Sequence, residues 1–205
     1  MADAQDTFVE VTSDTTLASH TPTPDGGFTW VIYSGSAGSA TVVALTDNVK
    51  DHAGNNPTYY ADVTPTSAEY DVQIDTTGTA DCLGPAGRIA TDADTNYRCL
   101  WINGAGEWRL VERLAGISTT IGTYVGDDPD GTVRTVLLEI RDASKKVYIG
   151  GVERISHTTT NDISAAGKPG IKFSGVTSDR GDNWSFTNTV AASTVKTMAL
   201  MGVGT

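Results

Sequence analysis

Asp92, Asp94 and Asn96 set three oxygen-bearing side chains at alternate positions, the spacing at which calcium loops present ligands. The glycine and the distant bidentate glutamate of an EF-hand are missing, and Tyr97 opens a strand pattern directly afterwards. A calcium ion and a plain hairpin turn both fit these residues. Asp127, Asp128 and Asp130 form a second acidic cluster, which the local hydrogen bonding of aspartate in Asx turns explains. Arg98, Arg109 and Arg113 supply fixed, forked donors of the kind that hold sugar oxygens. Trp108, next to Trp101 across a tight turn, offers a flat ring for the apolar side of a pyranose; the same pair also suits an ordinary core. Nucleophilic catalysis has little to work with. His20, His52 and His157 sit in loop-like stretches, and no Gly-x-Ser-x-Gly elbow accompanies them.

Short period-two segments separated by turn residues must position these groups. In Ala68–Ile74, Tyr70, Val72 and Ile74 share one face, and Glu69, Asp71 and Gln73 the other. Tyr97–Ile102 and Glu107–Arg113 flank Asn103-Gly104-Ala105-Gly106, which predicts a hairpin. Setting Ile102 against Glu107 puts Trp101 opposite Trp108, Cys99 opposite Leu110 and Tyr97 opposite Glu112. Tyr97, Cys99, Trp101, Trp108 and Leu110 then form one bulky face, the expected core side. Arg98, Arg109 and Arg113 fall on the reverse, beside Leu100, Ile102 and Val111, where solvated charges and a contact surface are both open readings. Thr132–Arg141 places Val136, Leu138 and Ile140 together. Lys145–Ile149 and Val152–Ser156 join through Gly150-Gly151, a primed turn that aligns Val147, Ile149 and Val152. Thr29–Tyr33, Ala40–Leu45, Tyr59–Ala61, Gly170–Gly175 and Trp184–Val190 are further strands. About a dozen strands at this spacing predict an all-β, two-sheet antiparallel β-sandwich. Ala191–Met201 is the one weak helix signal.

The 205 residues carry 14 basic and 25 acidic side chains, a formal charge of −11. That balance disfavours nucleic acid and anionic membrane surfaces, both of which need clustered Lys and Arg. No stretch reaches the ~20 apolar residues of a membrane span. The opening Met1-Ala2-Asp3-Ala4-Gln5-Asp6 lacks a signal peptide's basic and apolar regions, so synthesis in a cytosol is expected. Cys82 and Cys99 are too few for a disulfide framework; buried thiols and a late bridge are the two readings.

Several blocks resemble the concanavalin A-like (laminin G-like) jelly-roll module found in phage virion and tail-associated proteins. They are Asp6-Thr7-Phe8, Leu17, His20-Thr21-Pro22, Gly26-Gly27 and Trp30, then Arg88, Asp92 to Tyr97, Trp108 to Val111 and Ala115-Gly116. Val147 to Val152, Gly167 to Ile171 and Asp182-Asn183-Trp184 continue the likeness to about residue 190. The resemblance implies two antiparallel sheets, one curved, with a concave face that often binds sugars. It also implies a structural polar contact for His20. Glycanases on this fold share Glu-x-Asp-x-x-Glu, and no two glutamates here have that spacing. Glu139 and Asp142 come nearest, on opposite faces of a strand, whereas glycoside hydrolysis needs two carboxyl groups about 5 to 9.5 Å apart. A non-enzymatic protein is therefore expected.

Residues 1–190 are read as the sandwich and 191–205 as an apolar tail, either a last strand or a docking segment built on Met198, Leu200, Met201 and Val203. The main functional expectation is a virion structural protein, a capsid decoration or tail-associated protein. It would partner major capsid or other virion proteins, in a homo-oligomer guessed to be a trimer, with glycan contact through Arg98, Arg109, Arg113 and Trp108. The alternative is a carbohydrate-binding module with no virion role. No cofactor is expected beyond calcium at Asp92, Asp94 and Asn96.

Overall fold

The computed structural model describes residues 2–10, 13–24, 27–33, 38–44, 46–52, 54–159 and 163–189. The expected helix at Ala191–Met201 lies outside them. In chain order the strands begin with β1 (Ala4–Asp6), β2 (Thr15–Thr16), β3 (Trp30–Ile32), β4 (Ala40–Val43), β5 (Asn48–Asp51) and β6 (Thr58–Ala61). Next come β7 (Tyr70–Thr77), β8 (Gly84–Ile89), β9 (Asn96–Ile102), β10 (Glu107–Leu114) and β11 (Ile117–Val125). The last are β12 (Arg134–Arg141), β13 (Ser144–Ile149), β14 (Val152–Thr158), β15 (Lys168–Lys172) and β16 (Arg180–Asn188). They form a nine-stranded sheet, ordered β14-β13-β12-β7-β16-β5-β4-β2 with β1 also on β16, and a seven-stranded sheet, ordered β11-β10-β9-β8-β15-β6-β3. All pairings are antiparallel. This is the all-β, two-sheet sandwich that the alternation predicts.

Alternation decides what each sheet buries. Tyr70, Val72 and Ile74 of β7 are fully buried, and their cross-strand partners on β12, Ile140, Leu138 and Val136, are buried with them. From the other sheet, Tyr97, Cys99, Trp101, Trp108 and Leu110 close onto the same core. The β9–β10 register is the expected one, Trp101 opposite Trp108 and Cys99 opposite Leu110. Its turn is closed by the Ala105 and Gly106 amides, which donate to the Ile102 carbonyl at 3.1 and 2.9 Å. Gly150 and Gly151 both have positive φ, as a two-residue primed turn requires. Val147 and Ile149 beside that turn are buried, but Val152, expected to align with them, is 49% exposed at the strand end.

β8 departs from alternation. Gly84-Pro85-Ala86-Gly87-Arg88-Ile89 is buried throughout, because its neighbours approach too closely for larger side chains. A Cβ on Gly84 would lie 1.9 Å from the Cys99 carbonyl oxygen, and one on Gly170 of β15 2.0 Å from that of Tyr59. Cys82 and Cys99 are both free and buried, and burial pushes the Cys82 thiol up to about 12 and the Cys99 thiol higher still.

An aromatic seam and a polar clip fasten the N-terminal segment. Trp30 meets Trp184 edge-on with ring centres 4.8 Å apart, and Phe8 and Phe28 flank them. The Trp30 indole donates to Asp6 Oδ2 at 2.7 Å; Asp6 Oδ1 accepts from the Phe8 amide at 2.8 Å and the Thr23 amide at 3.1 Å. His20 is buried with Nε2 3.0 Å from Asp6 and Nδ1 2.8 Å from Glu10. This is the structural contact expected of it. Burial works against a charge on His20, but the hydrogen bonds and charges of Asp6 and Glu10 outweigh it, leaving the imidazole more basic than a free histidine.

A folded-state pKa above the unfolded ~6.5 gives stabilisation that is complete below that value and is lost as pH rises through the folded one. The unfolding free energy that wild type holds over His20→Gln should therefore shrink from about pH 6 to about pH 9 in denaturant titrations. A difference that grows with pH contradicts a charged His20.

Candidate functional site

With Tyr97, Cys99, Trp101, Trp108 and Leu110 committed to the core, β9 and β10 must turn Arg98, Leu100, Arg109, Val111 and Arg113 outward. Strand pairing extends that outer face across the sheet. Arg98 pairs with Ala86 on β8, Ala86 with Gly170 on β15, and Gly170 with Tyr60 on β6. One step along, Lys172 pairs with Gly84 and with Thr58. The face is recessed: Leu100, Val111 and Lys172 keep only 8% of their exposure although they point away from the core. Gly84, Ala86 and Gly170 on this side carry almost no side chain and are themselves buried. Tyr33 packs with Ala86 and Ile89 at one side, with Tyr60 against them. Beyond it Ile89, Asp92, Lys168 and Pro65 help line a pocket of about 320 Å³.

Charge is unevenly spread over the recess. Arg113 binds Asp94 as a two-pronged fork, Nε donating to Oδ1 at 2.6 Å and Nη2 to Oδ2, and the Tyr33 hydroxyl also donates to Asp94. The Arg113 hydrogen bond holds the Asp94 carboxyl below its ordinary value, whereas burial and Asp94 push Tyr33 up to about 12. Ser118 Oγ accepts from Arg113 Nη1 at 2.8 Å and from Arg98 Nη2 at 3.0 Å. Arg98 Nε is buried without a hydrogen-bond partner. Lys172 Nζ donates to the Asn56 carbonyl. Burial and then the repulsion of Arg113 bring Arg98 down to about 10, against the pull of Asp94. Burial and then the repulsion of Arg98 and Arg113 bring Lys172 down to about 7, against the pull of Asp51 and Asp94.

Of the residues picked out by sequence, Arg98 and Arg113 come together here. Arg109 shares the face but lies further along β10, paired with Glu107 at 2.7 Å. Trp108 is corrected: its ring is fully buried against Trp101, centres 5.6 Å apart, and its indole donates to the Asp127 carbonyl at 3.2 Å, so no sugar can stack on it. The calcium triad is corrected too. Asp94 spends both oxygens on Arg113, Asn96 is buried in β9, and Asp92 points to solvent. Among the described residues no group of three or more His, Cys, Asp or Glu gathers as a metal site. At the second acidic cluster Asp127 pairs with Arg154 at 2.8 Å and Asp128 accepts the Asp130 amide at 3.0 Å, an Asx turn. Met198, Leu200, Met201 and Val203 lie outside the described residues. Lys172, Tyr33 and Ser118 were not foreseen; an isolated lysine in a short apolar strand was the available signal for Lys172.

No protein-family model matches the sequence, and no curated protein does. Solved structures do. The carbohydrate-binding module CBM66 from Bacillus subtilis is 14% identical, with a TM-score of 0.53 over 88% of this chain and 95% of that one. A Bacillus licheniformis beta-glucanase is 12% identical, with a TM-score of 0.59 over 88% and 100%. A Bacillus subtilis protein of unknown function with a galectin-like fold is 9% identical, with a TM-score of 0.58 over 88% and 98%. At these identities the likeness is one of fold: the chain is a concanavalin A-like jelly-roll sandwich.

Lys172, with a folded value near 7 against 10.5 when unfolded, penalises the folded state most at low pH, and the penalty fades as pH rises towards 10.5. Relative to wild type, Lys172→Met should gain stability as pH falls from about 10 to about 7 in thermal melts. A gain in the opposite direction contradicts a desolvated cation. Asp94→Asn, which leaves Arg113 without its counter-charge beside Arg98, should cost about 1–3 kcal/mol in denaturant unfolding.

Proposed function

We propose that this chain is a non-catalytic carbohydrate-binding module whose ligand lies across the outer face of the seven-stranded sheet. The observation that carries the proposal is the set of donors on that face: Arg98, Arg109 and Arg113 project outward from β9 and β10, with Tyr60 of β6 on the same side of the sheet. Saccharides are held by directional hydrogen bonds from preset donors together with a smaller apolar contact, which Leu100 and Val111 supply between the arginines. The fold is also that of a structure named as a carbohydrate-binding module and of one named as a beta-glucanase, which supports a sugar ligand.

Binding without hydrolysis fits the carboxylates better. Asp94 is held by Arg113 and Glu107 by Arg109. Arg113 and Glu107 stand six residues apart on β10, ~20 Å at ~3.3 Å per residue, too far for the ~5 to 9.5 Å that an acid and its nucleophile or base require. The virion reading draws on the acidity of the chain and on an apolar tail, residues 191–205, that lies outside the described residues; sugar binding is independent of it.

A glycan array probed with the whole chain should give saturable binding to at least one saccharide. Arg98→Ala should weaken that binding at least about tenfold, or about 1.4 kcal/mol. Lys146→Ala, on the nine-stranded sheet, should leave it unchanged. An array without hits, or binding insensitive to Arg98, would overturn the proposal.

A further inference from the structure

A sheet that does not close on itself ends in a row of unpaired backbone N–H and C=O groups that another strand can join. Among the described residues the ends are β2 and β14 in one sheet and β3 and β11 in the other. Three of these are blunted. β2 has two residues and β3 three, while β14 carries Glu153, Arg154 and His157. β11 runs nine residues without a charge, in a chain of net charge −11. Ile117 and Val125 at its two ends are 72% and 73% exposed, and Leu114, opposite Ile117, is exposed as well. Its one interruption is a bulge: Leu110 pairs with Gly122 and Val111 with Thr120, which leaves Ile121 without a partner on β10. Residues 117–120, ahead of the bulge, are all exposed.

The turn before β11 fixes which of its backbone groups are free. Ala115 and Gly116 have φ of 47° and 86°, as a two-residue type I′ turn requires, so Leu114 and Ile117 are the hydrogen-bonded pair that closes it. Alternation makes Thr119 and Glu112 the next such pair and points the N–H and C=O of Ser118 and Thr120 at the open edge. A strand added there must bond to Ser118 and Thr120, and residues directly opposite must share a face. One self-pairing meets both conditions with four hydrogen bonds: Ser118 opposite Thr120 of the copy, and Thr119 opposite itself on a two-fold axis.

We propose that the chain forms a two-fold dimer by antiparallel pairing of β11 with β11 of a second copy. Over the rest of their surfaces two such acidic chains repel each other, and the uncharged edge is where they approach at least cost. An antiparallel edge is also its own complement, as a contact between identical patches requires. The inference goes beyond the carbohydrate-binding reading and stands without it. Pairing joins the two seven-stranded sheets into one continuous sheet with the axis normal to it, so Arg98, Arg109 and Arg113 of both copies face the same way. The two β9 strands then lie ~24 Å apart, at ~4.8 Å per strand.

Sedimentation velocity of the full chain over a concentration series should show a reversible monomer–dimer equilibrium, shifted towards dimer as salt screens the net charge. Thr119→Lys, which sets a charge against its own copy, should weaken the dimer at least about tenfold. Val133→Lys, at an exposed apolar site outside β11, should leave it unchanged. Melting curves establish that both variants fold. Cross-linking reads the register: Thr119→Cys should form a disulfide-linked dimer on mild oxidation, because a non-hydrogen-bonded pair brings the two Cα atoms to ~4.5 Å. Ser118→Cys, set two residues off its copy at ~8 Å, should not. The native Cys82 and Cys99 are buried and take no part. A chain that stays monomeric up to about 1 mM, a dimer indifferent to Thr119→Lys, or stronger cross-linking through Ser118→Cys than through Thr119→Cys overturns the inference. None of these outcomes bears on saccharide binding by a single copy.

Discussion

Burial of the Trp101–Trp108 pair fixes the register of β9 against β10, and that register decides which side chains the protein can offer to anything outside it. Side chains on a strand alternate, so sliding either strand by one residue would send its own indole to solvent and its own outward arginines into the core. The two rings, with Tyr97, Cys99 and Leu110, make such a slip prohibitively unfavourable. Arg98, Leu100, Arg109, Val111 and Arg113 face outward as a consequence. A surface assembled in this way is as rigid as the core behind it, which suits binding without rearrangement.

The neighbouring strand turns a face into a recess. β8 is made of residues that would weaken most strands, yet here their lack of bulk lets the sheet close tightly around Cys99 and Tyr59. On the outer side it leaves Arg98 and Lys172 on the two strands that flank β8. Electrostatics follows: burial, and then the repulsion of neighbouring cations, push Arg98 and Lys172 each away from their protonated forms. Elsewhere the chain relieves such tension with ion pairs or, at His20, with two carboxylates on one ring.

Local pattern made part of this readable in the sequence. The hairpin register could be worked out because bulky residues alternate on both sides of an Asn-Gly turn, and β7 and β12 announce themselves by strict alternation. β8 was invisible, since Gly84-Pro85-Ala86-Gly87 reads as a turn unless the carbonyls that crowd it are known. β11 was missed for the opposite reason: Ile117–Val125 is an edge strand whose exposed residues need no hydrophobic alternation. Within the site, Arg98 and Arg113 were legible because the hairpin is local. Lys172 was not, because it reaches them only through β15 and β8, a pairing between distant parts of the chain. Asp94 was noticed for its acidity, but its meaning depended on Arg113 arriving from the next strand. Trp108 had two readings in sequence, and only the burial of its ring separates them.

In the proposed arrangement one face carries the recognition while the rest of the sandwich supports it. Hydrogen–deuterium exchange, read across the whole chain with and without a saturating saccharide, tests that division most directly. Slowed exchange confined to β8, β9, β10 and β15 is the result this account predicts. Protection centred on the outer side of β12, β13 and β14, with β8 and β15 unchanged, would contradict it.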